Sequence, residues 1–392
     1  MKVLVTGIGA ISAIGNDVNE NLHALIHEQC GIKSIQIDDL KRQILAAPVG
    51  LSNEELSSEC GVSNEVSRTS LLGIKAAKEC WENNTFSPNL RTGFISGTSV
   101  GGMDRSEVFY RAYLADQQPD FSVLKYHDSG NTTEVIANSI GQFDYVNTLS
   151  TACSSGSNAV MQGARLIRAG ILDRVIVGGV DALTQFTISG FTSLMIYNEG
   201  ICKPFDEDRN GLNLGEGAGF LLLESEACQK QTGNEVLGEI GGWGNTADAF
   251  HQTATSPEAT GAVLAMTKAL NKANLLPKAI GYVNAHGTGT KNNDLTESIA
   301  LKTVFGEFIP PFSSTKSYTG HTLAASGAIE AVYAILTLKH QTLFPNLHFE
   351  KVIHETGLTP VEEKTEVSGV TAVLSNSFGF GGNCTSLVLG KL

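Results

Sequence analysis

The stretch STACSSGSNAVMQGARLIRAG, residues 150–170, runs from a small polar approach, Ser150-Thr151-Ala152, through one cysteine into a segment where Ala159, Val160, Gly163, Ala164 and Ile167 recur at three- and four-residue spacings. That spacing marks one face of a helix, so Cys153 stands at a helix N-terminus. Unpaired amide N–H groups and the positive end of the helix dipole favour a thiolate there, which predicts a lowered thiol pKa. Ser154, Ser155, Gly156 and Ser157 are small and leave room for a substrate. The other six cysteines, at 30, 60, 80, 202, 228 and 384, lack this setting, apart from Cys384 in its GGNC turn, and are read as structural.

Outward from this stretch, short β-branched runs alternate with Gly/Ser/Thr turns and helix-period segments, the pattern of an α/β fold with buried strands. The runs are Val3 to Val5, Thr92 to Ser96, Arg174 to Val180, Phe220 to Leu223, Tyr282 to Ala285 and Val370 to Leu374. A second stretch, SSTKSYTGHTLAASGAIEAVYAIL (313–336), repeats the passage from small polar residues into a small-residue helix. Each stretch is followed by a strand pair, RVIVGGVDAL with GAGFLLLE and VTAVLSNSFGFGG with NCTSLVLG. Two copies of one unit are expected, residues 1–233 and 234–392, joined near Gly233.

The 392 residues carry a formal net charge of -13, which argues against nucleic acid as a partner, because phosphate binding needs clustered Lys and Arg. An acidic protein partner would need a local basic patch, for which Arg105, Arg111 and Lys125 are candidates. No CxxC pair and no Cys/His cluster at zinc spacing occurs, so no metal and a reducing, cytoplasmic setting are expected. Gly7, Gly9 and Gly15 interrupt the apolar start, MKVLVTGIGAISAIG, which reads as a buried strand and turn rather than a signal peptide. No apolar run reaches the length of about 18 residues that a membrane span requires.

His286 follows a strand directly in NAHGTGTKNND (284–294), and Lys316 and His321 precede a helix in SSTKSYTGH (313–321). Imidazoles in strand-end turns project into clefts. Forming a carbon–carbon bond at a thioester needs an acyl-accepting nucleophile, donors for a developing enolate and an oxyanion hole. A cysteine, two imidazoles and the Gly-flanked amides of NSFGFGGN (376–383) can supply them.

STACSSG, KPFDEDRNGLNLGEGAG, NAHGTGTKNNDLTE, SSTKSYTGH and NSFGFGG, in this order across nearly the whole chain, resemble the motif set of elongating β-ketoacyl-[acyl-carrier-protein] synthases. The resemblance implies an α/β, duplicated five-layer α-β-α-β-α thiolase fold, normally a homodimer. It implies decarboxylative condensation of an acyl thioester with a malonyl thioester. Cys153 would accept the acyl chain, His286 and His321 would hydrogen-bond the malonyl thioester carbonyl, and Lys316, paired with Glu330, would order the site. The amides of Cys153 and Phe380 would form the oxyanion hole, with Phe380 also gating access. Thr253, Thr288 and Thr290 would bind the phosphopantetheine arm, Val100 and Phe191 would line the acyl pocket, and Asp294 and Glu297 would support the site. The implied partner is acyl carrier protein, with a chain-length-factor-like subunit as an alternative to the homodimer. No cofactor is implied, since the pantetheine arm arrives with the substrate.

The chain departs from the family's usual FGFGGTNA ending at Asn383-Cys384, has Asn210 for a usual Asp and Ala325 for a usual Gly, and is shorter between Phe191 and Pro204. A specialised synthase for a polyene or other lipid-like product is expected from these changes. Four other readings compete, one of them a binding-only role as scaffold or chain-length partner, which inertness of Cys153 toward acyl donors would favour. Gly7, Gly9 and Ser12 imitate a dinucleotide fingerprint whose third glycine is missing. Gly97-Thr98-Ser99-Val100-Gly101 fits the nucleophile elbow of an α/β-hydrolase acting through Ser99. A degradative thiolase would use Cys384 as a second cysteine.

Overall fold

The computed structural model describes residues 1–37, 42–63 and 65–391. Its principal sheet has ten strands, β1 (Val3–Ser12), β2 (Thr92–Gly97), β3 (Tyr145–Leu149), β4 (Arg174–Asp181), β5 (Gly217–Ser225), β6 (Gly238–Ala247), β7 (Tyr282–Asn284), β8 (Phe312–Ser313), β9 (Ala372–Gly379) and β10 (Asn383–Gly390). They lie in the order β8-β7-β9-β10-β6-β1-β5-β4-β2-β3. Read outward from the centre, the first five and the last five strands follow the same sequence. In each set the second strand is parallel to its two neighbours, and the last two strands of the set pair antiparallel. The sets meet where β1 and β6 pair antiparallel at Leu4–Glu239 and Val5–Gly238.

The helix layers over these strands are built chiefly from α1 (Arg68–Cys80), α2 (Ser129–Ile140), α3 (Ser155–Arg168), α4 (Thr260–Ala273), α5 (Lys291–Phe305) and α6 (Ser326–His340). Helices α3 and α6 lie between the two half-sheets. Every residue of α6 from Ser326 to Leu338 is buried, as a helix covered on all sides requires. The crossing of α3 and α6 is close enough to demand glycine. A Cβ on Gly156 would lie 2.7 Å from the Ala324 carbonyl oxygen, and one on Gly327 would run into the side chains of Ser157 and Ser377. Helices α1 and α2 cover the outer face of the first half-sheet, and α4 and α5 that of the second, completing five layers. One apolar cluster fills the centre around α3 and α6, and two more lie under the outer helices.

The glycines of β1 have a packing role. Cβ atoms at Gly7 and Gly9 would strike the backbone of α1 at Cys80 and Ala76, and Gly242 and Gly244 of β6 meet α4 at Ala269 and Ala265 in the same way. The dinucleotide-like spacing therefore serves strand-to-helix contact, and it occurs in both halves.

Candidate active site

Chain leaving β3 turns sharply at Ala152, which is held at φ 52°, and enters α3 through Cys153 and Ser154. A non-glycine residue in the left-handed region stores strain, a recurrent feature of catalytic turns. The turn drives Cys153 into the interior, where it is 5% exposed. The backbone N–H groups of Phe380 and of Cys153 itself lie near its sulfur and favour the thiolate. Burial outweighs these donors and the nearby Lys316, pushing the thiol up to about 12. This corrects the lowered thiol pKa expected from the helix terminus, because desolvation disfavours the thiolate more than the terminal amides favour it.

The second half supplies two imidazoles and a lysine. His286 follows β7, and its turn is fixed by two carboxylates three residues apart on α5. Glu297 accepts the amides of His286 (2.9 Å) and Gly287 (2.8 Å), and Asp294 accepts those of Thr288 (3.0 Å) and Gly289 (3.1 Å). Burial raises both carboxyls, Glu297 to about 7. Lys316 follows β8 and is 1% exposed. Its ammonium donates to the Glu330 carboxylate, to the His286 carbonyl at 2.6 Å and toward His286 Nδ1 at 3.3 Å, so its three protons are matched by three acceptors. Because an ammonium only donates, His286 Nδ1 accepts, and the ring proton sits on Nε2. His321 is held through its backbone by Asn213 and Gly215, and its Nδ1 lies 2.9 Å from Ser326 Oγ. The two imidazoles meet edge to face with centroids 5.5 Å apart. Burial, then Lys316, lowers both well below the usual histidine range, so both are neutral.

A cavity of about 480 Å³ brings Cys153, His286, His321, Phe191, Phe380, Thr253, Thr288 and Thr290 together. Phe191 and Phe380 stack across it with centroids 5.6 Å apart. Lys316, Glu330, Asp294 and Glu297 lie behind the wall. Val100 does not reach the cavity surface. It belongs to an apolar cluster with Ile188, Leu212, Leu214 and Leu323, against which Phe191 packs.

Sequence reasoning missed Asp181, at the end of β4. Its fully buried carboxylate accepts Thr98 Oγ1 (2.6 Å), the amides of Ser99 and Val100 (both 2.9 Å) and the Ala324 amide (2.8 Å). Burial raises it to about 6. The available signal was an acid ending a run that is apolar from Val175 to Val180. Asp181 also exposes a second turn of the Cys153 type, because TLAASG (322–327) aligns with TACSSG (151–156). Leu323 has φ 51° where Ala152 has 52°, and Ala324 stands in the place of Cys153.

Residues 1–228 match the family described as beta-ketoacyl synthase, N-terminal domain, and residues 237–350 match its C-terminal domain. The 3-oxoacyl-[acyl-carrier-protein] synthase 2 of Staphylococcus aureus strain MRSA252 is 33% identical over 410 residues, covering 100% of this chain and 98% of that protein. The same-named enzyme of Synechocystis sp. is 31% identical, with coverage of 100% and 98%. Among solved structures, the ishigamide ketosynthase/chain length factor superposes with a TM-score of 0.92 at 29% identity, covering 100% of this chain and 99% of that one. A ketosynthase, ApeO, in complex with its chain length factor ApeC from Xenorhabdus doucetiae gives 0.87 at 32% identity, with 100% and 98% covered. With the same five layers and strand order in both halves, this chain belongs to the β-ketoacyl synthases, acyltransferases of the duplicated thiolase fold that build fatty acids and polyketides by condensation.

Proposed function

We propose that the chain carries out condensation through Cys153 on substrates delivered by an acyl carrier protein. The observation carrying this reading is the convergence of the Cys153 sulfur, two neutral imidazoles and the amides of Cys153 and Phe380 on one cavity. Attack of the sulfur on an acyl thioester places negative charge on the carbonyl oxygen, which those two amides stabilise. The carrier thiol leaves with the proton that Cys153 gives up. A malonyl thioester then binds with its carbonyl against His286 and His321 and loses CO2, and the resulting enolate carbon attacks the acyl-cysteine. The β-ketoacyl thioester departs on its carrier while Cys153 regains a proton. Lys316 keeps His286 in the tautomer that donates from Nε2, and Glu330 balances its charge. Asp294 and Glu297 hold the 286–289 turn. Decarboxylation drives the reaction, so no cofactor is required.

The cavity wall contains Lys291 and no carboxylate, in a chain with 40 acidic residues, which suits a phosphate-bearing arm passing Thr253, Thr288 and Thr290. Phe191 and the Val100 cluster form the acyl side. The altered residues and the short 191–204 segment favour a specialised acyl substrate such as a polyene. The boundary between the copies is placed at Gly233, which closes the helix Glu226–Thr232 in a left-handed turn between β5 and β6. A cytoplasmic setting agrees with the free cysteines and with the absence, among the described residues, of any helix long and apolar enough to cross a membrane. Neither rival nucleophile suits the cavity. Ser99 is exposed with its amide tied to Asp181, and Cys384 is 1% exposed inside the core cluster under α4.

Intact-mass spectrometry with acyl-carrier thioesters of several lengths tests this reading. An adduct mapped to Cys153 and discharged by malonyl-carrier thioester with β-ketoacyl product is expected. Failure of every donor tested to form an adduct would withdraw it, and equal turnover of saturated donors of all lengths would withdraw the specialised substrate.

The partner face is proposed to be the edge beyond β3. The helix Met103–Leu114 buries none of its residues and exposes Val108, Tyr110, Tyr113 and Leu114, with Phe121 and Val146 exposed as well. Such a set of large apolar residues beside an open strand edge suits a second ketosynthase-fold subunit, the same chain or a chain-length-factor-like one. Arg105 and Arg111 lie on this helix, so pairing would remove them from carrier docking and leave the Lys291 rim for it. Light scattering is expected to give a dimer, and Phe121→Glu with Tyr110→Glu to give monomers; a native monomer both alone and with a co-expressed partner would sink the idea.

A further inference from the structure

We infer that Asn383, one of the residues at which this chain departs from its family's ending, is a positioning residue that sets the oxyanion hole through a buried amide network behind Cys153. The inference rests on Cys153 being the acyl acceptor. The two donors of the hole come from different pieces of chain. The Cys153 amide belongs to the start of α3, and the Phe380 amide belongs to the turn between β9 and β10. Their separation decides whether both reach one oxygen, and a displacement of about 1 Å is costly at such a site.

Asn383 opens β10, three residues after Phe380. Its side-chain oxygen lies within hydrogen-bond distance of three donor groups, Ser154 Oγ at 2.8 Å, Asn158 Nδ2 at 3.0 Å and Asn245 Nδ2 at 2.8 Å. Two of these donors, Ser154 and Asn158, are on or at the cap of α3, and Ser154 is the residue after the nucleophile. The network continues to the residue two before it. Asn158 Nδ2 donates to Thr151 Oγ1 at 2.8 Å, and the Thr151 carbonyl, 2.7 Å from Ser154 Oγ, shares the single Ser154 hydroxyl proton with Asn383. On the far side, Asn158 Oδ1 accepts Asn245 Nδ2 at 3.1 Å and Thr385 Oγ1 at 2.8 Å. The strained Cys153 turn is thus gripped on both flanks by the residue that ends the Phe380 turn.

Two other ties hold this segment to the Cys153 turn and α3, the Ser157–Ser377 hydroxyl pair at 2.8 Å and the close approach of Gly379 to the Thr151–Cys153 backbone, and both precede Phe380. Between Phe380 and Asn383 stand Gly381 at φ 80° and Gly382 at φ 81°, and a Cβ at Gly381 would meet open space. Main-chain bonds tie these glycines away from α3, with Gly381 N–H donating to Gln252 and the Gly382 carbonyl accepting Asp248 N–H, both at 2.7 Å. The turn is anchored on one side by residues 248–252 and on the other by the Asn383 side chain, which fixes its distance from Cys153.

Two partial reactions separate positioning from general stability. Acyl transfer to Cys153, followed in single turnover by intact mass, needs the hole. Decarboxylation of malonyl thioester to acetyl thioester and CO2, with one proton taken up, draws on His286 and His321 and can be followed with Cys153 blocked by carbamidomethylation. Asn383→Ala is expected to slow acyl transfer about 10- to 100-fold, below the loss of a whole oxyanion donor, while decarboxylation stays within about threefold. Asn245→Ala, which removes one donor from the far side and leaves the turn's own sequence intact, is expected to slow acyl transfer about three- to tenfold, and it carries the comparison if Asn383→Ala does not fold. Equal losses in both reactions, or unchanged acyl transfer, would overturn the inference while leaving the native chemistry intact. A native chain that takes no acyl group would instead remove the premise.

Discussion

Alkylation of Cys153 by iodoacetamide is expected to accelerate about tenfold per pH unit from about pH 6 to about pH 10, without levelling. Only the thiolate reacts, and burial pushes this thiol up to about 12, so the reactive fraction is still climbing at the top of the range. The cause is desolvation. Cys153 lies 5% exposed beneath the Phe191–Phe380 stack, and the amides and ammonium around it do not replace the lost water. A rate measured at Cys153 by peptide mapping that flattens above about pH 7 would mean that the helix terminus preforms the thiolate. The consequence for catalysis is that ionisation accompanies acyl transfer: charge appears on the sulfur and the carbonyl oxygen only when a substrate has closed the cavity.

Replacing Lys316 by methionine is expected to remove about 3–5 kcal/mol of stability and to reduce condensation by at least about a hundredfold. The ammonium is the ion-pair partner of Glu330, itself 2% exposed with one carboxylate oxygen lacking a hydrogen bond. Burial already raises the Glu330 carboxyl and Lys316 counteracts it. Without the lysine the acid takes a proton. Its folded pKa is then raised further above its unfolded value, so the variant's deficit starts above the unfolded carboxyl pKa and grows until the raised folded pKa is passed. Melting should therefore show the variant closest to native at acid pH. The double variant Lys316→Met with Glu330→Leu should recover most of the stability and none of the activity, because His286 Nδ1 still lacks its donor. Equal melting of single and double variants would show that the pair is not what the fold depends on, and native-like condensation by either would remove Lys316 from the mechanism.

What the sequence disclosed follows from where the physics is local. The periodic apolar face of 159–167 and the runs at 92–96 and 174–180 announce α3, β2 and β4, because burial writes itself into composition. Three strands of the principal sheet gave no such signal. β6, GEIGGWGNTA, is rich in glycine because α4 crowds it, β3 is half exposed at the sheet edge around Asn147, and β8 is two residues long. The run read at 370–374 belongs to a strand that starts at Ala372 and continues to Gly379, where the polar Ser375-Asn376-Ser377 is buried against neighbours distant in sequence. In the site, residue types and turns pointed to Cys153, His286, His321 and Lys316. Asp181 and the Asn158–Asn245–Asn383 network were hidden, since each derives its meaning from partners that only the folded chain brings near. The thiol's protonation was misjudged for the same reason: the helix terminus is visible in sequence, and the exclusion of water is not.

The turn at Leu323 gives the duplication a further meaning. It keeps the strained backbone of a nucleophile-bearing turn, a conformation costing about 1–3 kcal/mol, yet it presents only a methyl group, and the amide corresponding to that of Cys153 is occupied by the Asp181 carboxylate. One copy has kept the sulfur and the other has kept the imidazoles. Two halves built alike thereby contribute unequally, and a chain with near two-fold internal symmetry brings the sulfur and the imidazoles to one cavity. The service of this turn is mechanical: by filling it, Asp181 secures the backbone three residues beyond His321 to the loop that carries Val100, so that the unreactive turn braces the reactive one.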